Sequence, residues 1–111
     1  MAHYLFQLSY TSEAWAALVA DPQDRSKAVQ GPLHKLGGKI ESAWMAFGDA
    51  DLVGVLSLPD NVSAAAFAMA VSAGGACRFI KTTPLMTVAE GIEAMKKAAS
   101  CGYKSAVAGQ S

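Results

Sequence analysis

Residues able to do chemistry are few in this chain, and they fall in a handful of places. Asp49 and Asp51 lie two residues apart in "AWMAFGDADLVGVLSLP", between two apolar runs. Paired carboxylates serve as acid and base only where different surroundings drive their pKa values apart around a substrate. A solvent-facing turn beside Gly48 does not do this. Asp49 therefore reads as a turn residue bonding nearby backbone amides, and Asp51 as a turn cap or a group at the end of a sheet. Arg78 and Lys81 stand three apart in "CRFIKTT". Strand alternation groups Arg78 with Ile80 and Thr82, and puts Lys81 with Phe79 and Thr83 on the opposite face. A cation projecting into an apolar, water-poor cavity would hold a carboxylate or an enolate. The competing reading is an ion pair between subunits, for which Glu41 is a candidate. Gln7, on the first strand, shares Arg78's outward alternation and can donate hydrogen bonds. Gln7, Asp51, Arg78 and Lys81 are thus the candidate ligand-binding residues, as an anion site built on a sheet.

The remaining reactive side chains give less. His3 and His34 are the only imidazoles, and no carboxylate or thiol stands at metal-ligand spacing from either. No metal is expected, and no motif asks for a cofactor. Cys77 and Cys101 form no framework, which fits reduced thiols in a cytoplasmic protein; Cys77, within a strand, should be buried and inert, and Cys101 the more reactive. Trp15, Trp44, Tyr4 and Tyr10 read as core before they read as a ligand cavity. "VSAGGA" ends a helix, whereas phosphate cradles begin one.

The elements that must position these residues follow from pattern. "HYLFQLSY" (3–10) is a strand with Tyr4, Phe6, Leu8 and Tyr10 on one face. A helix capped by Thr11 or Ser12 follows, carrying Trp15, Leu18 and Val19 on one side. A second segment is expected to restart at Asp21 with Pro22 in its first turn, to present Val29, Leu33 and Leu36, to break at Gly31-Pro32 and to end at Gly37-Gly38. "KIESAWMAF" (39–47) and "LVGVLSL" (52–58) are antiparallel neighbours around a short turn. "PDNVSAAAFAMAVSAGG" (59–75) is a helix capped near Asp60 or Asn61. "ACRFIKTTPLM" (76–86) is an edge strand with Pro84 near its end. "TVAEGIEAMKKAAS" (87–100) opens on the capping-box pair Thr87 and Glu90 and carries an apolar stripe, Val88, Ile92, Met95 and Ala99, expected to be buried.

This order, βαββαβ plus a terminal helix, is the ferredoxin-like α+β arrangement. Right-handed crossovers give a four-stranded antiparallel sheet of order 4-1-3-2, with the helices on one face. Residues 1–103 form one domain and 104–111 a flexible tail. The other sheet face is apolar too, through Leu5, Val53 and Val55. Two such faces packed together would close a dimeric α+β barrel, so the expected partner is a second copy of the chain, as a homodimer or a higher oligomer. A small anionic or aromatic ligand is the other expected partner. Hydrophobic residues make up 52% and charged residues 16% of the 111, with formal net charge zero and the basic residues scattered, which argues against nucleic acid. No apolar run approaches the roughly 20 residues of a membrane span, and the N-terminus lacks the basic and apolar regions of a leader.

Three stretches, "YLFQLSYT", "GGKIESAWMAFGDADLVGVLSLPDNVSAAA" and "IKTTPLMTVAEGIEAMKKA", resemble the GYD-domain family of small bacterial proteins across nearly the whole chain. The resemblance implies a ferredoxin-like, dimeric α+β-barrel fold. The family's Gly-x-Tyr-Asp turn falls on Gly48, Ala50 and Asp51, with Ala50 where the family has tyrosine. It implies no activity. The functional expectation is a small ligand-binding or assembly domain. The alternative is a cofactor-free barrel enzyme, an isomerase, decarboxylase or monooxygenase-like protein, acting on a small organic acid or phenol.

Overall fold

Alternation of apolar side chains over the first ten residues produces the strand around which everything else is arranged. In the computed structural model, which describes residues 1–107, the order is β1 (Ala2–Tyr10), α1 (Ser12–Ala20), α2 (Arg25–Lys35), β2 (Lys39–Met45), β3 (Leu52–Leu58), α3 (Asn61–Ala73), β4 (Cys77–Leu85) and α4 (Val88–Ser100). The strands form one antiparallel sheet, β2-β3-β1-β4, which is the expected 4-1-3-2 order with β1 and β3 central and the sheet left open. Residues 104–107 of the expected tail form no helix or strand; 108–111 lie outside the described residues.

One face of the sheet is covered. Tyr4, Phe6, Leu8 and Tyr10 of β1 join Leu56 and Leu58 of β3 beneath Trp15 and Leu18 of α1, Val29 and Leu33 of α2, and Ala64 and Phe67 of α3. Phe6 and Phe67 lie tilted with ring centroids 5.2 Å apart. Tyr4 donates its hydroxyl to Asn61 Oδ1 at 2.7 Å, tying the start of α3 to β1. The caps are those the sequence offers: Thr11 Oγ1 accepts from Ala14 N at 3.0 Å, Asp60 from Ser63 N at 2.8 Å, and Thr87 and Glu90 form a reciprocal capping box.

Four expectations need correction. Asp21 closes α1 instead of opening the next helix; Asp24 takes the N-cap of α2, accepting from Ser26 N at 3.0 Å, so Pro22 lies in the connection. Gly31-Pro32 does not break α2, which runs on through Lys35: the proline sits in its last turn, where fully buried Leu33 holds the segment against the sheet. Val19 points to solvent. The apolar stripe of α4 is also exposed, because among the described residues no other element packs extensively along that helix.

Candidate functional site

Asp51 enters β3 at the end of the sheet, where its own amide donates to Leu8 O at 2.8 Å and its carbonyl accepts from Ala46 N at 2.9 Å. That fixes its carboxylate beside the last residues of β1. Oδ2 accepts from Tyr10 N at 2.9 Å, from Ser9 Oγ at 3.0 Å and from Trp15 Nε1 at 3.2 Å. Partial burial pushes its pKa upward, but these three donors and the nearby positive charge of Arg78 outweigh burial and hold it below the usual aspartate value. The carboxylate therefore stays ionised and ties β1, α1 and β3 together. Asp49, by contrast, is exposed and makes no side-chain hydrogen bond among the described residues.

The register of β4 places the other candidates. Lys81 sits directly opposite Gln7, which in turn faces Val53, so these three share the sheet face that carries no helix. Between Ser9 and Tyr10 the β1–β4 register shifts: Ser9 pairs with Phe79 and Tyr10 with Cys77, leaving Arg78 as the extra residue of a bulge. Arg78 donates from Nη2 to Ser9 Oγ at 2.9 Å. Ser9 is a fully buried residue of the uncovered face, and its hydroxyl passes the contact on to Asp51. Strict alternation would send Arg78 and Lys81 to opposite faces. The bulge brings both to one face. Gln7, Lys81 and Arg78 thus lie on the same apolar surface as Leu5, Val53, Val55, Phe79 and Leu85, and Asp51 is joined to them through Ser9.

Among the described residues Arg78 and Lys81 make no ion pair with a carboxylate, whereas Lys39, at the β2 end of the same face, is paired with Glu41. Among the described residues the ion pairs are Lys39–Glu41 at 3.6 Å and Lys96–Glu93 at 3.4 Å, both on the surface. Within one copy Glu41, the candidate intersubunit partner of Arg78, accepts from the Ser57 hydroxyl at 2.9 Å, which with Lys39 and His3 nearby keeps it below the usual glutamate pKa. His3 lies in a shallow depression with Val55, Leu85 and Glu90, and His34 is exposed on α2. No group of three or more metal-binding side chains occurs among the described residues.

A second feature escaped the sequence reading. A cleft of about 430 Å³ opens between α1, the Asp21–Asp24 connection and the sheet end, lined by Tyr10, Trp15, Leu18, Pro22, Arg25 and Met45. Tyr10 and Trp15 meet edge to face with centroids 5.3 Å apart. Burial raises the Tyr10 pKa, and neighbouring Cys77 and Asp51 add to this against the opposing charge of Arg25. Trp44, expected in the core, is 63% exposed on β2. The cleft arises because the helix restarts at Asp24 and not at Asp21, and "ADPQD" alone does not decide between those two caps.

The family model described as GYD domain matches residues 4–95, from the first strand to the middle of α4. No curated protein and no solved structure is significantly similar to the chain.

Proposed function

The chain belongs to the GYD-domain family, and we propose that it is a self-assembling ligand-binding domain whose uncovered sheet faces pack together and enclose a site for a small anion. One observation carries the reading: an apolar sheet face that no described element of the chain covers holds Arg78, which reaches the Asp51 carboxylate only through Ser9, and Lys81, which has no ion pair among the described residues. Half-buried Leu5, Val53 and Val55 and exposed Phe79 and Leu85 give the face its apolar character, and contiguous apolar surface of that kind favours association. Pairing two such faces would draw Arg78 and Lys81 away from water, and a desolvated charge must be met by an opposite one. A small carboxylate reaching Arg78, Lys81 and the Gln7 amide would meet both cations. Asp51, an anion whose Oδ2 accepts from three donors, anchors β1, α1 and β3 and would not itself meet an anionic ligand.

The experiment has two arms. Val55 lies on the uncovered face, opposite Leu5 and Ser42. Val55→Glu should shift the light-scattering mass from an oligomer toward 11.5 kDa while far-UV circular dichroism stays unchanged. A wild-type chain that is monomeric at every micromolar concentration defeats the assembly reading. In the second arm, small carboxylates such as benzoate should raise the melting temperature of wild type and not of Arg78→Met. Equal shifts in both would remove Arg78 from the site.

A further inference from the structure

We propose that α4 is an exchanged arm: in the assembled protein it leaves its own domain and lays Val88, Ile92, Met95 and Ala99 on a second copy of this chain. The proposal rests on the self-assembly argued above and adds which element crosses between copies. Three features of α4 are in tension unless something covers it. It is a well-specified helix, with Glu90 N donating to Thr87 Oγ1 at 3.1 Å and Thr87 N to Glu90 Oε1 at 2.9 Å. It carries an apolar stripe at positions i, i+4, i+7 and i+11, as helices do when they bury one side. Yet Val88 is 83%, Ile92 46% and Met95 70% exposed, and among the described residues no other element packs extensively along it. A free 13-residue helix is marginal in water, and tertiary burial of an apolar side is what normally sustains one.

The shape of the molecule agrees. It measures 60 × 31 × 22 Å, with a radius of gyration of 18.0 Å, against about 13 Å for a compact domain of this size. Only Met86 and Thr87 separate β4 from α4, and the first turn, with Glu90, lies beside His3, Val55 and Leu85 at the border of the uncovered face. The arm therefore starts where a second copy would dock.

Area points the same way. A four-stranded sheet of about seven residues per strand offers roughly 450 Å² in plane, from strand spacing and rise. Even allowing for side-chain relief, sheet faces alone would sit toward the low end of the ~800 Å² of accessible surface per partner usual for a stable complex. A 13-residue helix is about 20 Å long and 10 Å wide, so each arm adds about 200 Å² and covers a like area opposite. With arms exchanged, each copy reaches the usual size. Under a twofold axis bare face meets bare face and each arm lies on the partner beside that contact, so no arm is left unpaired to recruit further copies.

The test places the photoreactive residue benzoylphenylalanine at position 92 in the full chain. Light- and heavy-isotope copies are mixed, irradiated and mapped by mass spectrometry. The expected product is a covalent dimer linking residue 92 of one isotope to the other. Cross-links confined to one copy would mean that α4 folds back on its own domain, and would overturn the proposal. A second arm is the double variant Ile92→Glu, Met95→Glu, which touches only exposed positions and should keep the monomer fold. Its dimer dissociation constant by sedimentation should rise at least tenfold. A variant that dimerises as tightly as wild type refutes the exchanged arm and leaves the sheet-face reading standing. A wild type that never associates refutes both.

Discussion

Asp51 offers the sharpest quantitative test of how the fold is held together at the site. Removing its carboxylate with Asp51→Ala orphans three donors, of which Ser9 is fully buried and Tyr10 nearly so. A hydrogen bond to a charged group contributes about 1.5–3 kcal/mol, and a buried donor left unmatched costs about 1–3 kcal/mol. The three do not add. Ser9 can turn its hydroxyl elsewhere while still accepting from Arg78, and the Trp15 indole can reach water. The expected loss is about 3–4 kcal/mol, a large fraction of the 5–15 kcal/mol typical of such domains. Asp51→Asn keeps one oxygen for the donors and should lose about half as much. The assay is urea unfolding followed by circular dichroism at equal protomer concentration, since any self-association would be linked to folding. The pH dependence fixes the cause. The folded pKa of Asp51 lies below its unfolded value, so its contribution is complete above an unfolded pKa of about 3.9 and is lost as pH falls through the folded pKa. The gap between wild type and Asp51→Asn should be constant from neutral pH to about 5 and shrink below about 4. A loss under about 1 kcal/mol for the alanine variant, or a gap as wide at pH 3 as at pH 7, would refute the anchoring role.

Two further outcomes follow from particular contacts. At Gly38 a Cβ would stand 2.5 Å from Ser57 O and 2.7 Å from Leu58 Cδ2, so Gly38→Ala should cost more than about 2 kcal/mol in the same unfolding assay; at Gly31 nothing lies within 4 Å, and Gly31→Ala, inside α2, should stabilise by about 0.5–1 kcal/mol. Of the two free thiols, Cys101 is exposed, whereas Cys77 is half-buried with its pKa pushed up by burial against the opposing charge of Arg25; thiol titration without denaturant should show one fast group, removed by Cys101→Ser, and equal rates would contradict the placement of Cys77.

What could be read from the sequence divides along a physical line. Caps, alternation and turn residues act over a few positions, so Thr11, Asp60, the Thr87–Glu90 box, the β2–β3 turn and the inward set Tyr4, Phe6, Leu8 and Tyr10 were all legible. So was the strand order, because short connections and crossover handedness leave few arrangements for this element series. The misplacements each involve a choice settled from a distance. Asp21 and Asp24 are both good caps, and the placement of α1 and α2 on the sheet decides between them. Pro32 is tolerated because Leu33 has a pocket to fill. Arg78 changes face because one residue of β4 is left out of its pairing with β1, and a parity argument along a strand inverts at such a point.

The same division explains why the site was half legible. Gln7 and Lys81 pair across β1 and β4, but alternation counted from either strand alone could not establish that pairing. Asp51 was placed at the sheet end, yet its three donors come from residues 36 to 42 positions away along the chain. The stripe of α4 sharpens the point. Its periodicity correctly identified a helix but not its burial, because periodicity reports an apolar side and not what covers it. It says nothing about which molecule supplies the covering surface. In a chain whose sheet also has an uncovered apolar face, the mismatch between the apolar stripe of α4 and its exposure is the ground on which the exchanged arm is proposed, and the cross-link at position 92 decides it.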